Sequence, residues 1–174
     1  DSAEADPTND VCGFDAARKL AILSSIGFRA NVTFDDVLVE GIEKIDKSDI
    51  QYAKDMGYTI KLLTVALRQE NGIALNVYPA FLPDNHPLSS VKGAYNAIYV
   101  TGNIVDDVMF YGRGAGALPT ASAVMGDVIS TAQHILNGST GTGMIMTDTK
   151  RIPFYSSLKL QNSYYFRLDV DDVT

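Results

Sequence analysis

The chain has 174 residues, with 14 Lys+Arg against 21 Asp+Glu for a net charge of −7, 46% hydrophobic residues, one Cys and no Trp. That length suits one ordinary domain, or one domain with parts of its neighbours, and the apolar fraction excludes a wholly disordered chain. The acidic balance argues against a nucleic-acid partner, which normally meets a basic stripe, and no apolar run approaches the ~18 residues of a membrane span. Cys12 has no partner for a disulfide, and no export signal opens the sequence, so a cytoplasmic setting is expected.

Residues 1–12 are polar and turn-rich, with Pro7 and Asn9 set against helix formation. From Gly13, the recurrence of Ala16, Leu20, Leu23 and Ile26 predicts a helix facing a core, with Gly27 as its C-cap. Thr33 and Asp36 have capping-box spacing for a short helical turn before Val37–Val39. Ser48 is expected to cap a helix that Gly57 stops, with Ile50 and Ala53 facing inward. Tyr58–Gln69 and Ile73–Pro83 read as strands of a hairpin turning at Asn71-Gly72, because both residues tolerate positive φ. His86-Pro87 marks a loop, with His86 fixing it by hydrogen bonding. Tyr95–Thr101 and Val108–Tyr111 read as two further strands with a turn near Gly102. Lys61 falls on a strand among apolar residues, as an edge charge or a support for a site. Gly112-Arg-Gly114-Ala-Gly116 then leads into an apolar helix ending near Leu136, with His134 suited to its C-terminal dipole. A Gly/Ser/Thr-rich stretch follows, and 162–170 alternates as a last strand. The fold class expected is α+β, an antiparallel-rich mixed sheet with helices covering one face.

The densest chemistry lies at the start, where Glu4, Asp6, Asp10 and Asp15 precede Arg18 and Lys19. Asp15 and Lys19 are four apart on the predicted helix and project from one face, which by itself also describes a surface ion pair of about 0.2–0.5 kcal/mol. Gly112, Gly114 and Gly116 could bring backbone close to a cofactor or mark a tight strand–helix crossing. His86 and His134 lack metal-ligand spacing, the acidic cluster lacks a calcium-loop pattern, and Cys12 has no base beside it in the sequence, so no metal and no nucleophilic thiol are assigned.

The string Asp6-Pro-Thr-Asn-Asp10-Val-Cys-Gly13-Phe-Asp15-Ala-Ala-Arg-Lys19 resembles the signature of homoserine dehydrogenases, D-P-x-x-D-[aliphatic]-x-G-x-D-x-x-x-K, at every fixed position. The resemblance continues through Tyr58-Thr-Ile-Lys61-Leu-Leu, His86-Pro87-Leu88, Asn96-Ala97 and Gly112–Val124, and so covers roughly residues 3–136. One departure precedes it: family members carry Gly-aromatic where this chain has Asp1-Ser2.

The resemblance implies NAD(P)-dependent interconversion of L-aspartate 4-semialdehyde and L-homoserine, on the route to threonine, isoleucine and methionine. It places Glu4 and Asp10 near the substrate ammonium, and Asp15 and Lys19 at the reacting carbonyl or alcohol, with Lys19 as general acid. Gly116 and Gly114 would approach the cofactor, NADP or NAD. It further implies a homodimer and a division into 1–111, catalytic and dimerisation domain; 112–136, seam and helix returning to a nucleotide-binding domain; and 137–174, a linker and the start of an ACT-like domain. Because no strand–G-x-G-x-x-G–helix is present, the sequence is expected to be the middle of a longer enzyme, inactive alone. The rival reading is a non-catalytic module that binds an amino acid or holds an oligomer together.

Overall fold

A computed structural model of the protein describes residues 6–139, 152–155, 161–168 and 170. The elements run α1 (Thr8–Val11), α2 (Phe14–Phe28), a 3₁₀ turn (Phe34–Asp36), β1 (Leu38–Val39), α3 (Lys47–Asp55), β2 (Tyr58–Gln69), β3 (Gly72–Pro83), a second 3₁₀ turn (Pro87–Ser90), β4 (Tyr95–Gly102), β5 (Asp106–Arg113) and α4 (Ala117–Leu136). The fold is α+β and antiparallel-rich, as expected, but its strands form two sheets: a three-stranded one in the order β1-β3-β2 and a separate β4–β5 ribbon.

β3 is the centre. It pairs along its whole length with antiparallel β2, while its other edge takes parallel β1 at Asn76 and Val77 and a bridge from Phe154 at Ile73. Gly72–Val77 are consecutively buried, as a strand covered on both faces should be. Ile73, Leu75 and Val77 meet Ala17, Leu20 and Ala21 of α2, and Ala30, Val32 and Val37 close the cluster.

Several expectations shift in register. Residues 8–11 form a short helix rather than a turn-rich run: Pro7 stands at its N-cap, where a missing N–H costs nothing, and Asp6 accepts from the Thr8 amide and hydroxyl at 3.1 and 2.6 Å. α2 buries Ala17, Leu20, Ala21, Ser24 and Ser25, whereas Leu23 and Ile26 stay exposed. Small residues let the helix approach β3 closely, so the buried stripe follows size rather than apolarity. α2 also runs past Gly27 and ends at Arg29, itself left-handed at φ 51°.

Asp46, not Ser48, caps α3. Its carboxylate accepts from the Ser48 and Asp49 amides at 2.7 and 3.1 Å, while Asp49 accepts from the Asp46 amide at 3.0 Å. With Asp46 capping, Asp49 and Ala53 turn inward and Ile50 remains exposed. The box expected at Thr33 is present, with the Thr33 amide donating to Asp36 at 2.8 Å.

Gln69 pairs with Gly72, so the β2–β3 turn is Glu70-Asn71. Gly72 is required for a different reason: a Cβ there would run into the Pro153 carbonyl, whose oxygen accepts from the Ile73 amide at 3.0 Å. Residues 161–168 form no ladder, contrary to the strand expected over 162–170. They contact the domain through side chains instead: Tyr165 stacks on Phe81 at 4.7 Å, and Arg167 pairs with Asp46 and Asp49 at 2.6 and 2.9 Å.

Candidate active site

The α1–α2 turn carries the candidate chemistry. Asp10 lies in α1, Gly13 makes the turn at φ +78° and serves as N-cap of α2, and Asp15 falls in the first turn of that helix. A carboxylate there also complements the helix dipole. One turn later, Lys19 Nζ sits 2.6 Å from Asp15 Oδ2, with the two side chains 66% and 44% exposed. The pair is thus open to a ligand, and Asp15 fixes where the ammonium points. Beside it, Arg18 donates to Asn9 Oδ1 at 3.2 Å and lies 5.4 Å over the Phe34 ring, so a second cation holds α1 against α2. Arg18 occupies a variable position of the signature, and only its neighbours in space reveal this role.

The Asp6 carboxyl is held below its ordinary range by the Thr8 hydrogen bonds. The Cys12 thiol is pushed up, chiefly by its hydrogen bond to the Glu43 carboxylate and then by burial, which suits a structural thiol rather than a nucleophile. Glu4 lies outside the described residues. The structure therefore brings Asp10, Asp15 and Lys19 onto one helix–turn–helix.

The glycine seam is carried on a different element, where β5 passes into α4. Gly114 donates its amide to Ala94 at 3.2 Å, and a Cβ on it would strike the Asn96 amide. Gly116, at φ 122°, is the N-cap of α4 and offers no side chain to the helix amides. In the first turn of α4, Ala117 and Leu118 carry backbone amides, whereas Pro119 has none and the Thr120 amide donates to the Gly116 carbonyl at 3.1 Å.

Of the residues weighed individually, His86 fixes its loop as expected: Nδ1 accepts from the Leu88 amide at 3.1 Å, and the ring packs on Tyr99 at 5.3 Å. Lys61 donates to the Val91 carbonyl, tying β2 to the loop before β4. Among the described residues, no group of three or more His, Cys, Asp or Glu is placed to hold a metal, and no helix is long and apolar enough to cross a membrane.

Comparison with solved structures finds this antiparallel-rich α+β fold in homoserine dehydrogenases. A crystal structure of a homoserine dehydrogenase from Thiobacillus denitrificans superposes with a TM-score of 0.82 at 39% identity, over 88% of this chain and 36% of that one. A hyperthermophilic archaeal homoserine dehydrogenase in complex with NADPH gives a TM-score of 0.57 at 28% identity, over 75% of this chain and 36% of that one. The sequence profile for homoserine dehydrogenase matches residues 1–129, and the Bacillus subtilis homoserine dehydrogenase is 48% identical over 82% of this chain. That of Corynebacterium glutamicum is 43% identical over 98% of it. The chain belongs to the homoserine dehydrogenase family. It spans 33% and 39% of the lengths of those two relatives.

Proposed function

We propose that the full-length protein interconverts L-aspartate 4-semialdehyde and L-homoserine with NADP or NAD, and that these residues supply its substrate-binding and proton-handling part. The observation that carries this reading is the Asp15–Lys19 pair, at 2.6 Å, inside an unbroken fourteen-residue family signature.

Reducing the aldehyde adds a hydride to carbon and a proton to oxygen. The nicotinamide, when bound, supplies the hydride. The Lys19 ammonium stabilises the charge developing on oxygen and donates the proton, and in the oxidative direction the neutral Lys19 amine takes a proton from the alcohol. Asp15 holds the ammonium in place. Asp10, with Glu4, faces the substrate's own ammonium, where charge-assisted hydrogen bonds select an α-amino acid. Gly116 and Gly114 let the seam approach the nucleotide.

Residues 1–111 form the catalytic and dimerisation domain in this reading, 112–136 return the chain to a nucleotide-binding domain, and 137–174 lead toward an ACT-like domain. The exposed apolar residues of β4–β5 support a homodimer, and those of α4 support its packing on the nucleotide-binding part. A cytoplasmic biosynthetic enzyme is the corresponding setting. The test is reduction of NADP⁺ and of NAD⁺ by the full-length protein with L-homoserine, followed by nicotinamide absorbance. Homoserine-dependent reduction with either is expected, and none with both contradicts the proposal.

A further inference from the structure

The α1–α2 turn is braced from outside by the loop that follows β1. The Glu40 amide donates to the Val77 carbonyl at 2.7 Å, carrying the loop off the edge of β3. Two residues later, the Ile42 amide donates to the Val11 carbonyl at 2.9 Å. Val11 ends α1, so this amide occupies one of the carbonyls that a helix leaves unpaired at its C-terminus.

Gly41 lies between these two anchors, flat against the end of α1. A Cβ on it would stand 2.5 Å from the Val11 carbonyl oxygen and 2.7 Å from Cys12 Cα, and would also meet the Glu43 carboxylate. The carboxylate ends a flexible side chain and can swing aside. The other two atoms are backbone, and they belong to the turn with Asp10 on one side and Asp15 on the other. That turn has little room to retreat across the sheet, because a Cβ at Gly13 would already be 3.1 and 3.3 Å from Val77 and Val39 Cγ1. Any side chain at 41 therefore displaces the turn or opens the Ile42–Val11 hydrogen bond.

We infer that Gly41 and the Ile42 amide are positioning residues of the active site, setting where the Val11–Gly13 turn sits and so how Asp10 stands relative to the Asp15–Lys19 pair. This inference rests on the homoserine dehydrogenase reading and adds residues outside the signature to it. Misplacement of the order of 1 Å can cost about 10²-fold in rate.

The experiment compares Gly41→Ala with the wild type and with Gly27→Ala in the full-length enzyme. Gly27 lies in α2, with open space where its Cβ would go. Gly41→Ala is expected to lower kcat/KM for homoserine by about 10–10²-fold, with the KM for the nicotinamide cofactor near wild type, while Gly27→Ala leaves both unchanged. Values for Gly41→Ala within two-fold of wild type, or an equal loss toward substrate and cofactor, would overturn the inference. Should Gly41→Ala not fold, hydrogen exchange on the wild type decides: saturating homoserine slows exchange at the Ile42 amide, and an unchanged rate contradicts the role. A wild type that never turns over homoserine removes the underlying reading as well, whereas an active wild type with a normal variant removes only this inference.

Discussion

The two β-hairpins draw on similar residues and reach opposite ends. β3 buries Ile73, Ala74, Leu75 and Val77, while Ile98, Val100, Val108 and Phe110 of the β4–β5 ribbon are all exposed. Both register cleanly as antiparallel pairs. The difference is what lies against them: α2, β1 and residues 152–155 cover β3, whereas the ribbon's contacts such as Thr101 to Asp107 at 2.7 Å and Tyr95 stacked on Tyr111 at 4.9 Å join its own two strands. Apolar alternation thus specifies a strand, and burial depends on a partner. The first hairpin has its partner within the described residues, and the exposed apolar face of the second is what the proposed homodimer would cover.

Substitutions can break this contrast. The largest effect is expected from Ile73→Ala, fully buried at the centre of the first hairpin, at about 2–5 kcal/mol of stability read from the denaturation midpoint. Next comes Gly13→Ala, where the left-handed backbone costs about 1–2 kcal/mol and the new Cβ presses on Val77. Arg167→Ala should cost less than Ile73→Ala, because its pair with Asp46 is substantially exposed and the buried Asp49 carboxylate keeps its bonds from the Asp46 amide and the Tyr165 hydroxyl. That contact also carries a pH signature. Hydrogen bonds, first from Arg167, hold the Asp46 carboxyl below its usual range. The contribution is therefore full above the unfolded carboxylate pKa of about 3.9 and is lost as pH falls through the lower folded value. An acid titration in which wild type and Arg167→Ala converge only at low pH would show it. Phe110→Ala, 62% exposed, should change monomer stability by under about 0.5 kcal/mol while weakening self-association in sedimentation.

Much of this was legible in the sequence because it is local. The two hairpins, the Thr33 turn, the His86 loop and the i,i+4 placement of Asp15 and Lys19 all follow from spacing and turn chemistry. What the sequence hides is non-local. Asp46 outcompetes Ser48 as a cap because its box is completed by Asp49, which is then also bonded by Tyr165 and Arg167 from more than a hundred residues away. Gly72 looks like a turn glycine, yet its need comes from Pro153. Gly41 carries no local signal at all, since the atoms it must avoid belong to Val11 and Cys12.

We propose that the Lys19 ammonium, held by Asp15, handles the proton in homoserine chemistry. The most direct test is turnover of Lys19→Ala in the full-length enzyme at saturating homoserine and cofactor. A fall in kcat of about 10²–10⁴-fold is expected, with the fold intact by circular dichroism. Turnover near wild type would contradict it and remove Lys19 from the mechanism.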